Sequence, residues 1–487
     1  MNALTSAREQ AKHLSRNGKE LVVMLRFIYT LFAFLLFLQQ GGFADDWPTF
    51  RHDLSRSGIS GEALAPPLKE AWRYTAKHPP QPAWPGPARA DGWHKVENLK
   101  PRVIFDWAFH TVSSGGDVFF GSSADDKVYC LDGGTGQERW TFFTDGPVRL
   151  SPTIHQGKIY AGSDDGKVYC LQIADGTLLW KYNAGPRDSR VPGNGRLMSL
   201  WPIRSGLVVD QGVVYFSAGL FPFEGAFLCA VGAEDGKEVW KREVPGFAPQ
   251  GYLAASAEKI FVPTGRGTPF VFGRADGDYL YALGGSGGAF CLLTEDRLVY
   301  GPGKTGVFEA FQPGEKEEFA TFEGNQMIVT PERSYLQSDT EIRAIDRVRY
   351  FEISLQRSQI SKQMDELKKQ IKSLEKLGDD EGAAELRKKQ GELESQSGAL
   401  TAQLSLCLLW KQPSKHPYSL ILAGETLYAG GTGSVAAFST ENGEQIWNAE
   451  VEGRALDLQV SGEKLVASTD RGAIYAFIRE EPQGETR

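Results

Sequence analysis

The chain is poor in the residues that organise metal and thiol chemistry. Its 487 residues include only five cysteines and seven histidines. The cysteine count is odd and no C-x-x-C spacing occurs, which excludes the common zinc and dithiol frameworks and predicts a chain without disulfides. The C-x-x-C-H haem signature is absent, and the histidines never adopt the H-x-x-x-H spacing of a helical zinc site. No Lys/Arg-rich block interrupts a formal net charge of -8, which argues against nucleic acid as a partner. No apolar run reaches the ~20 residues a membrane-spanning helix needs.

The longest such run, Phe27 to Leu38, lies in a targeting segment. Met24 to Ala44 carries one arginine, then this apolar stretch, then Gly42-Phe43-Ala44 before Asp45, the order of a cleavable signal peptide. Residues 1–44 are therefore expected to be a signal peptide, with Met24 as the true start. A signal anchor is the competing reading. The mature chain is expected in the periplasm or cell envelope, without stable membrane insertion after cleavage. The last residues, 481–487, read as a disordered tail.

What the sequence holds in abundance is glycine, 55 residues, and aromatics, 11%. They are ordered by a repeat. VYCLDGGTGQERW (128–140) returns as VYCLQIADGTLLW (168–180). Alternation puts Val128 and Cys130 on one strand face and Tyr129 and Leu131 on the other. Thr135-Gly136 and Asp175-Gly176 supply hairpin turns. A large aromatic begins the returning strand four residues after each glycine: Trp140, Trp180, Trp240, Tyr281 and Trp447. Ten residues before each stands a small or branched apolar side chain, Cys130, Cys170, Ala230, Val271 and Ala437, so cysteine here reads as a small apolar filler.

Each copy also carries a preceding strand pair, such as SPTIHQGKIYAGSDDG (151–166), so one copy is a four-stranded meander. Such a sheet has two apolar faces and must stack on neighbours. The expected fold is all-β: an eight-bladed β-propeller of four-stranded antiparallel blades over residues 45–480. Merging the divergent fourth and fifth copies gives seven. The last copy, LDLQVSGEKLVASTDRGAIYAF (456–477), lacks its aromatic strand. LKEAWRYTA (68–76), with Trp72 in the aromatic position, is expected to complete it and join the chain ends in one sheet.

The sixth copy is interrupted. TEIRAID (340–346) matches a third strand, yet its partner, with Trp410, arrives only at 407–413. Between them Ile353, Ile360, Met364, Leu367, Ile371 and Leu374 keep heptad spacing, and Leu386, Leu393, Leu400 and Leu404 form a second stripe. Residues 347–406 are expected to form an antiparallel coiled-coil hairpin that projects from the fold. Folding flat along the rim as a spacer is the alternative. Its balanced charges favour a protein partner.

The repeated V-Y-C-L…G-x-x-x-W phrase, with DWPTFRHDLSRSG (46–58), resembles the propellers of pyrroloquinoline-quinone (PQQ)-like repeats. That resemblance implies the fold over about 45–480. The group includes quinoprotein dehydrogenases and the non-enzymatic propeller lipoprotein of the outer-membrane barrel assembly machinery. The dehydrogenases stack an adjacent cysteine pair on PQQ beside calcium. This chain has no adjacent cysteines and no dense cluster of oxygen ligands. The lipid-anchor cysteine of the lipoprotein is missing too. The resemblance implies the non-enzymatic branch, without PQQ, calcium or another cofactor.

Long connectors on one propeller face are where ligands are expected. GPRDSRVPGNGRLMSLWPIRSG (185–206) offers Arg187, Arg190 and Arg196 for a carboxylate, a phosphate or an acidic protein surface, and Trp201 as a stacking face. FDWAFHTVSSGG (105–116) brings Asp106, Trp107 and His110. The plainer reading has the arginines capping loop carbonyls or pairing with Asp188 or Asp106. His110 near Asp106 resembles the start of a general-base pair, without a nucleophile-elbow serine beside it. The function expected is a non-catalytic, exported protein-interaction scaffold. A quinoprotein dehydrogenase and a small-molecule or glycan binder are the alternatives.

Overall fold

The computed structural model describes residues 46–83 and 104–480, apart from 245, 247, 266, 285–289, 295–296, 301–306 and 313–317. The expected signal segment and the tail 481–487 lie outside the described residues. The protein is mostly β and propeller-like. Six separate four-stranded antiparallel sheets run along the chain: Thr111–Phe143, Thr153–Asn183, Val208–Glu243, Ala254–Ala282, Cys291–Glu323 and Gln326–Pro413. An eight-stranded sheet follows. Its 17-residue strand Gln445–Ser461 pairs first with Thr432–Ser439 and then with Lys464–Thr469, so it belongs to two quartets. The second quartet is completed by Leu68–Thr75 against Ala473–Arg479, with Trp72 opposite Ala476.

The repeat chemistry explains how the sheets stack. Cys130, Cys170, Ala230, Val271, Ala344 and Ala437 lie directly across from Trp140, Trp180, Trp240, Tyr281, Trp410 and Trp447. A cross-strand neighbour shares the indole's face, so a small one leaves room for the ring. Each indole reaches the next sheet or, for Trp447, the next quartet of the eight-stranded sheet. Trp72, Trp140, Trp180, Trp410 and Trp447 donate Nε1–H to the carbonyls of Gly133, Ile173, Ala233, Thr440 and Leu68, at 2.9–3.1 Å. The rings of Trp72, Trp140, Trp180, Trp240 and Trp410 lie on the turn glycine of the sheet each reaches. A Cβ on Gly136 would sit 2.6 Å from Trp72, and one on Gly236 2.7 Å from Trp180. The glycine of G-x-x-x-W thus serves the preceding sheet's tryptophan as well as its own turn.

Each strand contributes to two cores. Val128 and Cys130 pack with Ile159, Tyr169 and Leu171 of the following sheet. Tyr129 and Leu131 pack with Trp72, Val466, Ile474 and Ala476 of the last quartet. The five cysteines are free, buried and dispersed. Burial pushes the thiols of Cys130, Cys170 and Cys229 up to about 12, which leaves them protonated and inert at neutral pH.

Residues 46–60 thread between the first strands of the sheets. The backbone of Trp47 bonds to Ser113, Pro48 to Ile154, Leu54 to Ala255, Ser55 to Leu293 and Gly58 to Leu422. Arg51 donates to Met327 O (2.8 Å) and Gln326 Oε1 (3.0 Å). Arg56 donates to Leu253 O (2.7 Å) and Leu207 O (3.1 Å), and Ser60 Oγ to Val460 O (3.2 Å). One short segment therefore touches the six four-stranded sheets and both quartets of the eight-stranded one. Both guanidinium groups are buried, and desolvation lowers each to about 10.

The sixth sheet keeps its register across a helical insertion: Asp346 N bonds to Cys407 O at 2.8 Å. Between them run α1 (Arg347–Leu377) and α2 (Asp380–Ser405). Asp346 caps α1 by accepting from Arg349 N, Gly378 ends it with φ 74°, and Asp379 caps α2 by accepting from Gly382 N. The base of α1 is anchored on the fifth sheet, Phe351 edge-on to Phe319 and Tyr350 against Phe322, each at 5.0 Å. Farther out, Leu367, Ile371 and Leu393 of the heptad stripes are buried, together with Ala383, which is not among the stripe residues. Among the described residues no helix is long and apolar enough to cross a membrane.

Arg56→Met would strand the carbonyls of Leu253, Leu207 and Phe50. It is expected to cost about 3 kcal/mol, read as a lowered urea midpoint at unchanged slope. A change within about 0.5 kcal/mol would show that the threaded segment does not tie the sheets together.

Candidate functional site

The connectors singled out in the sequence do meet, but most of their charges are spent on one another. Asp164, between two strands of the second sheet, accepts from Arg149 Nε (2.6 Å) and from Arg204 Nε and Nη2 (3.0 Å each). Arg149 also reaches Asp106 Oδ2 (3.3 Å) and Gln81 O (2.8 Å), and Asp106 accepts from Ala83 N at 2.6 Å. Burial raises the Asp106 carboxyl above its usual range, against the pull of Arg149. The four side chains are 1–3% exposed, so no ligand reaches this Asp-Arg-Asp-Arg chain.

The expected arginine cluster does not converge. Arg187 bonds to Ser189 Oγ (2.9 Å) and lies over the Trp201 ring (5.4 Å). Arg190 faces Asp188 at 3.6 Å and Asp145 at 4.0 Å. Arg196 pairs with Asp126 and the carbonyl of Ala124. Trp201 is 1% exposed, packs on Gly185 and donates to Glu224 O (2.9 Å), so it is a core residue and not a stacking face for a ligand. The carboxylate partner of His110 is Asp457, not Asp106. His110 Nδ1 lies 3.0 Å from Asp457 Oδ1, and Thr111 N and Oγ1 hold Oδ2 at 2.8 and 2.9 Å. The two are 347 residues apart, a pairing created only when the last quartet meets the first sheet.

His110 and Trp107 instead line a cavity of about 400 Å³ where the first strands of several sheets converge. Its floor is aromatic: Phe50 stacks on Tyr252 at 3.5 Å, with Phe290 edge-on at 6.2 Å. Its rim is polar and partly open. Asp339 is exposed there, and Asn325, Tyr418 and Arg454 are half-buried. Arg454 is held by Asp470 (Nε to Oδ2, 2.8 Å), with its guanidinium 4.7 Å from the Trp107 ring and 5.8 Å from that of Tyr418. Phe50, Tyr252, Asn325, Arg454 and Asp457 carry no motif, and sequence reasoning missed them. The signal within reach was DWPTFRHDLSRSG, whose Phe50 and Arg51 line the cavity.

Stacked four-stranded sheets with indole-on-glycine contacts and a polar-rimmed cavity where their first strands meet define a repeat propeller-like protein. The comparisons name its kind. The chain belongs to the family described as outer membrane protein assembly factor BamB, whose profile matches residues 69–295 and 396–481. The unmatched interval contains α1 and most of α2. A curated relative, the outer membrane protein assembly factor BamB of Alkalilimnicola ehrlichii, is 28% identical over 113 residues, 23% of this chain and 26% of that protein. The chain thus matches about a quarter of that relative's length. Among solved structures, the quinohemoprotein alcohol dehydrogenase of Comamonas testosteroni superposes with a TM-score of 0.58 at 13% identity, over 91% of this chain and 82% of that one. The computationally designed Ika8 protein gives 0.53 at 12% identity, over 78% and 98%. Both show the fold alone.

The residues present do not fit a quinone with its metal. The cysteines stand apart in separate buried positions. The buried carboxylate of the cavity, Asp457, spends both oxygens on His110 and Thr111.

Arg149→Leu would leave Asp106 without its ion-pair partner and Asp164 with one of two. It is expected to lower stability by on the order of 3–5 kcal/mol. Arg190→Ala, at the exposed pair, should stay within about 0.5 kcal/mol. Equal losses in chemical unfolding would contradict the division between clamp and surface.

Proposed function

We propose that the protein is an exported, non-catalytic propeller that scaffolds protein contacts in the cell envelope. Membership of a family described by outer-membrane protein assembly supports this reading. The observation that carries it is the helical insertion. The sixth sheet pairs Arg343 with Lys411 and Ala344 with Trp410 across the insertion, so α1 and α2 add nothing to the sheet's hydrogen bonding. Two helices of 31 and 26 residues, capped at both starts and mostly exposed, are then an element for something outside the fold. We read them as an antiparallel coiled-coil hairpin.

We also read the eight-stranded sheet as two blades, which makes eight in a ring. One buried cluster lies between each consecutive pair, and that around Trp72 joins the last to the first. Export rests on the leader expected at residues 1–44 and on the family. The dehydrogenase reading has no residue set to support it, since the fold likeness at 13% identity carries no chemistry.

The test replaces 348–405 with a two-residue glycine-containing turn, which the 2.8 Å Asp346–Cys407 bond permits. The shortened protein should unfold within about 3 °C of the full chain. It should lose the partners that a photo-crosslinker at exposed Gln359 or Lys369 captures in the envelope. Retention of the same partners, assayed by a crosslinker on the sheets, would overturn the assignment to the hairpin.

A further inference from the structure

Two buried polar atoms at the cavity have no hydrogen-bond partner among the described residues: His110 Nε2 and Trp107 Nε1. Leaving such atoms unpaired costs about 1–3 kcal/mol each, so a native fold keeps them for a reason. His110 is 6% exposed, and its other nitrogen is engaged by Asp457. With Nδ1–H donated to that carboxylate, Nε2 presents a lone pair. Trp107 Nε1 is a donor only. A ligand rich in hydroxyls suits both, since a hydroxyl can accept from an indole N–H and donate to an imidazole nitrogen.

The charges narrow the ligand further. Arg454 is compensated by Asp470, Asp457 faces His110, and Arg51 is spent on backbone carbonyls and Gln326. Among the described lining residues no buried cation is left over to hold an anion, which favours a neutral guest. Aromatic faces floor the space and polar side chains ring its mouth. That arrangement suits a molecule with C–H faces and hydroxyls around its edge. A flat aromatic ring with one hydroxyl would leave the rim unused. The volume, about 400 Å³, is within the ~300–1,000 Å³ of small-molecule sites.

From this we infer that the cavity is a binding site for a neutral sugar of one or two rings, seated on Phe50 and Phe290, with its hydroxyls paired to His110 Nε2 and Trp107 Nε1. The site is separate from α1 and α2, so it stands whether or not the hairpin captures a protein. It is a binding site without an associated reaction.

The test titrates the full chain with glucose, N-acetylglucosamine and cellobiose, and with p-cresol and benzoate as the aromatic and anionic counterparts. Binding is read by calorimetry and by tryptophan fluorescence. The inference expects saturable binding of at least one sugar with Kd of about 10 mM or tighter. Trp107→Phe, which keeps an aromatic ring but removes the N–H, should weaken it roughly tenfold in a protein that still unfolds in one cooperative transition. Arg190→Ala, remote from the cavity, should bind as the parent does. If no sugar binds, if only p-cresol or benzoate binds, or if Trp107→Phe binds sugar as tightly as the parent, the inference is overturned. Deleting α1 and α2 should leave sugar binding intact, which separates failure here from failure of the hairpin reading.

Discussion

An indole laid against a glycine of the neighbouring sheet is the contact on which the rest of the structure depends. A four-stranded sheet cannot bury both of its faces alone, so the repeats are stable only where they stack. The tryptophan of one sheet does this with three features at once. Its ring covers a glycine that a Cβ would displace, its N–H satisfies a carbonyl beyond that turn, and its cross-strand neighbour is small enough to leave room. Because Trp72 meets Gly133 and Gly136 of the first sheet, the same contact ties a strand near the start of the chain, and with it the last quartet, to the beginning of the repeat.

Stacking in this way brings the first strands together and leaves a space between them. Residues 46–60 occupy part of it. Arg51 and Arg56 are used as rigid forks of donors for backbone carbonyls, which is why two cations tolerate burial without a carboxylate in contact. What the segment leaves unfilled is the cavity floored by Phe50 and lined by His110. The His110–Asp457 pair exists only because the last quartet lies beside the first sheet, so the site and the stacking stand or fall together.

The layering was legible in the sequence because it is written in short-range periodicity. Val128 and Cys130 pack toward one neighbour and Tyr129 and Leu131 toward the other, as alternation requires. In α1 and α2 the stripe residues Ile353, Leu367, Ile371 and Leu393 are buried, but so are Ser354 and Ala383, which are not among them. The candidate site was legible only in part. Trp107 and His110 were found because they cluster in one connector, but Asp457 is brought to His110 by tertiary structure and has no local mark. Arg187, Arg190 and Arg196 were read as convergent because they are close in sequence. The strands Arg190–Gly193 and Arg196–Ser199 form a hairpin, and each arginine takes a different partner, Ser189 for Arg187, Asp188 for Arg190 and the distant Asp126 for Arg196. The double use of the turn glycine was also hidden, since its second partner lies one repeat away.

The central claim is that the repeat glycine is required by the neighbouring indole and not only by its own turn. Gly176 and Gly157 separate the two demands. Their φ values are 74° and 73°, but a Cβ on Gly176 would lie 2.5 Å from Trp140 while one on Gly157 meets nothing within 4 Å. Alanine at Gly157 should cost about 1 kcal/mol, from backbone strain alone. Alanine at Gly176 should cost about 2 kcal/mol more, through the displaced ring. Equal destabilisation of the two variants in urea unfolding would contradict the account.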